Sequence, residues 1–179
     1  MQIALLCNIY PSIIIGFMEF SSVSSNSDLT GIIHVLNVSH GTVTKEFGFT
    51  KENNPTNNAF IDVITLKSQL EKGIQLFALS VDSAIIGCIA IEKSSREPGL
   101  FYIEKVSVIP EFRNKGYGKK MMVFATEKIL EQGGSSISIA LIDSNLKLKK
   151  WYSSQGFKES GIKDFDHLPF RVCFMSKPI

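Results

Sequence analysis

Apolar and polar positions alternate in blocks that predict strands and helices in turn. Ile74 to Val81 and Ala84 to Glu92 are β-rich runs parted by Asp82-Ser83, a two-residue hairpin signal. Another strand, Leu100 to Ile109, follows the turn Arg96-Glu97-Pro98-Gly99 and stops at Pro110. From Gly118 to Gln132, Met121, Met122, Ala125, Ile129 and Leu130 share a face at helical spacing, and Gly133-Gly134 ends the helix. Ile137 to Ile142 predicts a strand, and Asn145 to Gln155 a second amphipathic helix with Gly156 as its stop. Phe157 to Ile162 and Phe170 to Met175 predict a closing strand pair. Upstream, Gly31 to Ser39 reads as a first strand and Thr42 to Thr50 as a short helix. The breaker-rich loop 51–58 then leads to a helix over Ala59 to Lys72. This order of elements predicts an α/β (α+β) domain around a mixed sheet.

The 179 residues suit one domain, placed at 29–179. Residues 1–28 read as an extension of uncertain role. Met1 to Phe20 carries only Glu19 as an ionised side chain and includes the apolar run Ile13 to Met18. It lacks the positive start of a signal peptide, and Gln2, Asn8 and Pro11 interrupt it as a membrane span. An added strand or non-core extension therefore ranks above a membrane anchor, and Ser21 to Asp28 reads as a polar linker. A net charge of +2 gives no general reason to expect nucleic-acid binding. Cys7, Cys88 and Cys173 form no pair, which fits a reducing, cytoplasmic setting. The last two read as small core residues on strands. His34, His40 and His167 show no metal-ligand spacing, so no metal is expected. No persuasive Cys–His or Ser–His arrangement is visible.

The informative stretch runs from Val106-Ser107-Val108-Ile109-Pro110 to Arg113-Asn114-Lys115-Gly116-Tyr117-Gly118-Lys119. A strand delivers a tight loop that opens directly into a helix. Orphan amides and the positive dipole end make such a helix start a phosphate-binding place. Gly116 and Gly118 let a diphosphate approach, and Arg113, Lys115 and Lys119 add charge. Lys120 stands where a Walker loop needs Ser or Thr, and Met121 where a dinucleotide loop needs Gly.

The stretch closely resembles the GNAT superfamily of N-acetyltransferases, whose signature is Gln or Arg, two residues, Gly, one residue, then Gly or Ala. Arg113 to Gly118 meets every fixed position, and Asn145…Tyr152-Ser153-Ser154-Gln155-Gly156-Phe157 resembles the family's second block. The resemblance covers roughly Ile74 to Met175. It implies a mostly antiparallel central sheet, splayed at the coenzyme site and flanked by helices. It implies acetyl-coenzyme A as co-substrate, its pyrophosphate on the amides of Arg113 to Lys119 and its pantetheine arm paired with the main chain of Val106 and Val108. Asn145 would sit beside the coenzyme, and as a helix N-cap it also has an ordinary structural reading.

The implied reaction is direct attack by a primary amine in a ternary complex. By the family match Tyr152 is the candidate acid toward the leaving thiolate. Glu104 is the candidate base through water, with Asp143 in reserve. Strict alternation puts Glu104 on one strand face with Tyr102, Val106 and Val108, where a carboxylate among apolar residues needs a reason. A solvent-facing or lysine-paired glutamate is the plain alternative. Relatives that acetylate protein N-termini carry a glutamate five residues before the asparagine; Ala140 stands there, which lowers the expectation of such a substrate. The resemblance assigns the acceptor to Thr42 to Lys72 and Lys163 to Arg171, whose charges have no decisive sign. Small-molecule and peptide amines, and a homodimer, all stay open. Rival readings are a coenzyme A-binding sensor without turnover and transfer of a longer acyl group.

Overall fold

The computed structural model describes residues 17–179; the readings made above for 1–16 lie outside the described residues. In chain order the elements are β1 (Met18–Val23), α1 (Thr30–Phe47), α2 (Val63–Glu71), β2 (Gln75–Val81), β3 (Ala84–Lys93) and β4 (Leu100–Val108). They are followed by α3 (Tyr117–Glu131), β5 (Ser136–Ile142), α4 (Leu146–Ser153), β6 (Lys158–Lys163) and β7 (Val172–Pro178). The strands form one sheet in the order β1-β2-β3-β4-β5-β7-β6. Its neighbours are antiparallel except β4 and β5.

Two apolar layers cover the sheet. Met121, Met122, Ala125 and Ile129 of α3 and Tyr152 of α4 pack on Phe77, Ile89, Phe101 and Ile139 on one face. Ile32, Val35 and Leu36 of α1 and Leu66 of α2 pack on Leu76, Ala78, Cys88 and Ala90 on the other. Cys88 and Cys173 are buried on β3 and β7, as their apolar neighbours suggested. Among the described residues, no helix is long and apolar enough to cross a membrane.

The hairpin between β2 and β3 turns at Asp82 and Ser83, with φ 49° and 67°. Two left-handed residues match the twist of the flanking strands.

Two upstream expectations are corrected. Gly31 to Ser39 is the first half of α1 rather than a strand. Its β-branched content suggested β structure, but the buried positions Ile32, Val35, Leu36 and Ser39 follow a helical period. Asp28 Oδ1 accepts the Thr30 amide at 2.9 Å, and Gly48 at φ 70° ends the helix. The helix expected from Ala59 begins only at Val63, because Asp62 caps it by accepting the Thr65 amide at 2.7 Å.

The segment taken as a polar linker also begins as strand, since Ser21 to Val23 belong to β1. β1 pairs with β2 along its whole length, from Met18↔Val81 to Val23↔Leu76, so the boundary at residue 29 falls after a strand of the sheet. Phe20 anchors it by stacking on Phe124 of α3 with centroids 4.1 Å apart. Phe20→Ala should therefore lower stability by about 1–3 kcal/mol in chemical denaturation, less than a fully buried phenylalanine costs. An unchanged midpoint would make β1 an ornament.

Candidate active site

β4 and β5 run parallel but pair only at Leu100↔Ser136, Phe101↔Ile137 and Tyr102↔Ser138. Beyond that point they splay. β4 stays bonded to β3 and β5 to β7, leaving a wedge with an unmatched strand edge on each side. The Ile109 amide bonds back to Ile86 O on β3 at 2.9 Å. By alternation, the main-chain groups of Val106 and Val108 face the wedge. Arg113 Nε donates to Val108 O at 3.0 Å, so that carbonyl is already partnered.

One extra residue in β4 sets the side chains around this wedge. Ala90 pairs with Glu104 and Cys88 with Ser107, so two steps on β3 face three on β4. Lys105 absorbs the bulge at φ 52°. Its side chain is buried, with Nζ 3.2 Å from Glu104 Oε2.

The bulge breaks the alternation assumed from sequence. Val106 and Val108 pack on the α3–α4 layer, whereas Ser107 pairs with Cys88 on the α1 face. Glu104, opposite Ala90, also lies on the α1 face, so it does not share a face with the two valines. A second carboxyl joins it there. Glu92 is opposite Tyr102, diagonal to Glu104 across the β3–β4 ladder. Burial, and then the Glu104 charge, push the Glu92 pKa above the usual carboxylate range. Sequence could not join these two acids without the register.

A Ser–His contact is present after all. Ser107 Oγ lies 3.1 Å from His40 Nε2 on α1. Ser107 is only 2% exposed, and burial, followed by the charges of Lys105 and Arg113, lowers the His40 pKa to about 4. This contact joins α1 to β4; it does not present a nucleophile to the wedge.

The loop after β4 first makes a short 3-10 turn, Pro110–Phe112, in which the Arg113 amide bonds to Pro110 O. The backbone then turns left-handed at Asn114 (φ 61°) and Gly116 (φ 83°) and enters α3. Its first intrahelical donor is Lys120, bonding to Gly116 O. Among the described residues, the amides of Asn114 to Lys119 therefore have no acceptor. That is a built anion nest. The sequence reading began it one residue early, since the Arg113 amide is taken.

The Arg113 side chain has another task. Besides Val108 O, its guanidinium donates to Thr42 Oγ1 at 2.9 Å and to Ser39 O at 2.8 Å, tying the loop to α1. Lys115 and Lys119 stay exposed beside the nest. The two glycines differ. A Cβ at Gly116 would meet nothing within 4 Å, so its left-handed φ is what requires glycine. At Gly118 a Cβ would lie 3.0 Å from the Trp151 ring, so packing requires it.

α4 brings in the second block. Asn145 caps it by accepting the Leu148 amide at 3.0 Å. Tyr152 is 6% exposed between Trp151 and Phe157, in the same layer that receives Val106 and Val108. Its hydroxyl has no hydrogen-bond partner among the described residues, and burial pushes its pKa well above 10. Asp143, the reserve base, is corrected to a structural role. It accepts from Lys149 Nζ and Arg171 at 2.6 Å each, and the Lys149 bond in particular holds its pKa below the ordinary range.

Residues 44–157, more than half of the chain, match the Acetyltransferase (GNAT) family. The protein belongs to that family of acetyltransferases. No curated protein matches it. Among solved structures it is similar to PaiA N-acetyltransferase from Thermoplasma acidophilum in complex with coenzyme A, with TM-score 0.72 and 19% identity over 91% of this chain and 99% of that one. The ribosomal-protein-S18-alanine N-acetyltransferase from Escherichia coli gives TM-score 0.70 and 16% identity over 91% and 94%. YncA of Salmonella typhimurium, a putative acetyltransferase solved with acetyl-CoA, gives 0.68 and 14% over 90% and 94%. These likenesses establish the shared fold.

Two outcomes test this geometry. Gly116→Val forces a β-branched residue into a left-handed position and should weaken coenzyme A binding at least about tenfold by calorimetry, or roughly 1.4 kcal/mol. Equal affinity in the folded variant would dissociate the nest from the coenzyme. For His40, the folded pKa of about 4 lies below the unfolded value near 6.5. Between those values the unfolded chain holds more protons, so stability should fall as the pH drops through this window, by up to about 3 kcal/mol. His40→Gln should lose most of that slope in denaturation curves taken at pH 7 and pH 4.

Proposed function

We propose that the protein transfers the acetyl group of acetyl-coenzyme A to a primary amine by direct attack in a ternary complex. The observation that carries this reading is the wedge between β4 and β5, with the six free amides of Asn114 to Lys119 at its mouth. A diphosphate suits the nest, and the amides of a pantetheine arm suit the main-chain groups of Val106 and the Val108 amide, the Val108 carbonyl being taken by Arg113. Lys115 and Lys119 add charge beside the nest.

Bound acetyl-coenzyme A supplies the activated acyl carbon: the amine forms the C–N bond as the C–S bond breaks, and the coenzyme leaves as a thiol. Glu104, on the α1 face, receives the amine proton directly or through one water. Lys105 holds its carboxylate at 3.2 Å, and Glu92, with its raised pKa, stands diagonal to it. Tyr152 approaches from the opposite layer. Its phenol is protonated at working pH, the state required to give a proton to sulfur; burial raises its pKa, so it gives that proton only to a thiolate buried with it. Solvent then restores both groups, so the net change is amine plus thioester to amide plus thiol.

The reading extends to a protein working in a reducing compartment, since Cys88 and Cys173 are unpaired and buried. Tyr152→Phe tests the acid. The ring keeps its contacts, so melting temperature and coenzyme affinity should hold while turnover of an acceptor amine falls about 100- to 10,000-fold. Turnover near the wild-type rate would leave Tyr152 as packing. Simultaneous loss of coenzyme binding would assign its hydroxyl to positioning the thioester.

A further inference from the structure

We infer that the acceptor is an arylalkylamine, a primary amine on a short alkyl chain ending in an aromatic ring; this rests on the transferase reading above. One layer of the wedge is filled by α3, α4 and Tyr152, so the acceptor approaches from the α1 face. On that face the far wall is β5 and β7, where the exposed Ala140 pairs with Phe174. Phe165, from the segment between β6 and β7, meets Phe174 edge-on at 6.4 Å. From the other side Phe49, just past the end of α1, meets Phe170 of the same segment at 4.9 Å, with Phe47 behind it at 5.9 Å.

These five rings are only half-buried, and none belongs to either core layer. They link the end of α1 to the β6–β7 segment, which reaches the β5 wall of the wedge through Phe165 and Phe174. Partly exposed aromatic rings gathered from two distant segments make a surface for an apolar, flat group.

The opposite wall is acidic at one end. Glu104 and Glu92 lie together on the α1 face of β4 and β3. The acids of the β6–β7 segment, Asp164 and Asp166, are exposed among Lys163, His167 and Arg171, so they form no negative track. Lys163 Nζ sits 4.8 Å over Phe165, and Arg171 is tied to Asp143. One cationic end and one aromatic body complement this arrangement. A polyamine or an amino sugar needs carboxylates or hydroxyl partners spread along its length.

Initial rates with acetyl-coenzyme A and 2-phenylethylamine, ethylamine, spermidine or glucosamine decide the matter. The kcat/KM for 2-phenylethylamine should exceed that for ethylamine at least about tenfold. Phe170→Leu and Phe49→Leu should each reduce that ratio severalfold, chiefly through KM, with coenzyme affinity reporting that each variant is folded. A ratio near one, a ratio unmoved in both variants, or a preference for spermidine or glucosamine overturns the aromatic acceptor and leaves the transferase standing. Coenzyme binding without acetylation of any of the four amines overturns both.

Discussion

At Lys105 a side-chain-bearing residue occupies the left-handed region inside a strand, φ 52°, a conformation that costs of order 1–3 kcal/mol. The surroundings that hold it there are specific. Glu104 takes the buried ammonium, Lys105 O lies 3.7 Å from Cys88 Sγ, and Ser107 is held by His40 from α1. The extra residue turns the rest of β4 over. Upstream of it Glu104 looks toward α1; downstream the valines look toward α3 and α4. Without the bulge, Glu104, Val106 and Val108 would share a face, and the carboxylate would compete for space in the layer that α3 and α4 cover.

The same helix that braces β4 beside the bulge also holds the loop before α3. Ser39, His40 and Thr42, within one turn of α1, bind Arg113 or Ser107. Arg113 adds a third tie by occupying Val108 O at the mouth of the wedge. A guanidinium with its donors engaged in a half-buried site is a brace rather than a mobile phosphate ligand, and desolvation there lowers its pKa without discharging it. Movement of α1 would therefore shift the nest and the β4 edge together. The loop before α3 and the edge of β4 share one support.

How much of this is readable in the chain depends on distance along it. The hairpin at Asp82-Ser83, the loop from Arg113 to Gly118 and the helix behind it are local, and turn chemistry and helical period sufficed. Asn145 was readable both as a cap and as part of the second family block, and its capping bond is present. What was not readable joins residues far apart: His40 to Ser107 across 67 positions and Arg113 to Thr42 across 71. α1 was misread because Ile32, Ile33, Val35 and Val38 are β-branched; burial against the sheet overrode their preference. The bulge leaves no mark in sequence, since Lys105 is neither Gly nor Asn. That one omission misplaced Glu104 relative to the valines.

With Glu104 and Tyr152 in the proposed roles of base and acid, the bulge also bears on why the two need not interfere. A carboxylate and a phenol on one strand face would sit within reach of each other, and a proton could pass between them instead of through the substrates. Here the strand itself separates them. Glu104 faces the α1 side beside Glu92, whose raised pKa follows from burial and from the Glu104 charge. Tyr152 lies in the opposite layer, where burial raises its pKa and no acceptor competes for its proton among the described residues. In the proposed transfer, a proton taken from the amine on one face and a proton given to sulfur on the other would belong to one displacement at the splay.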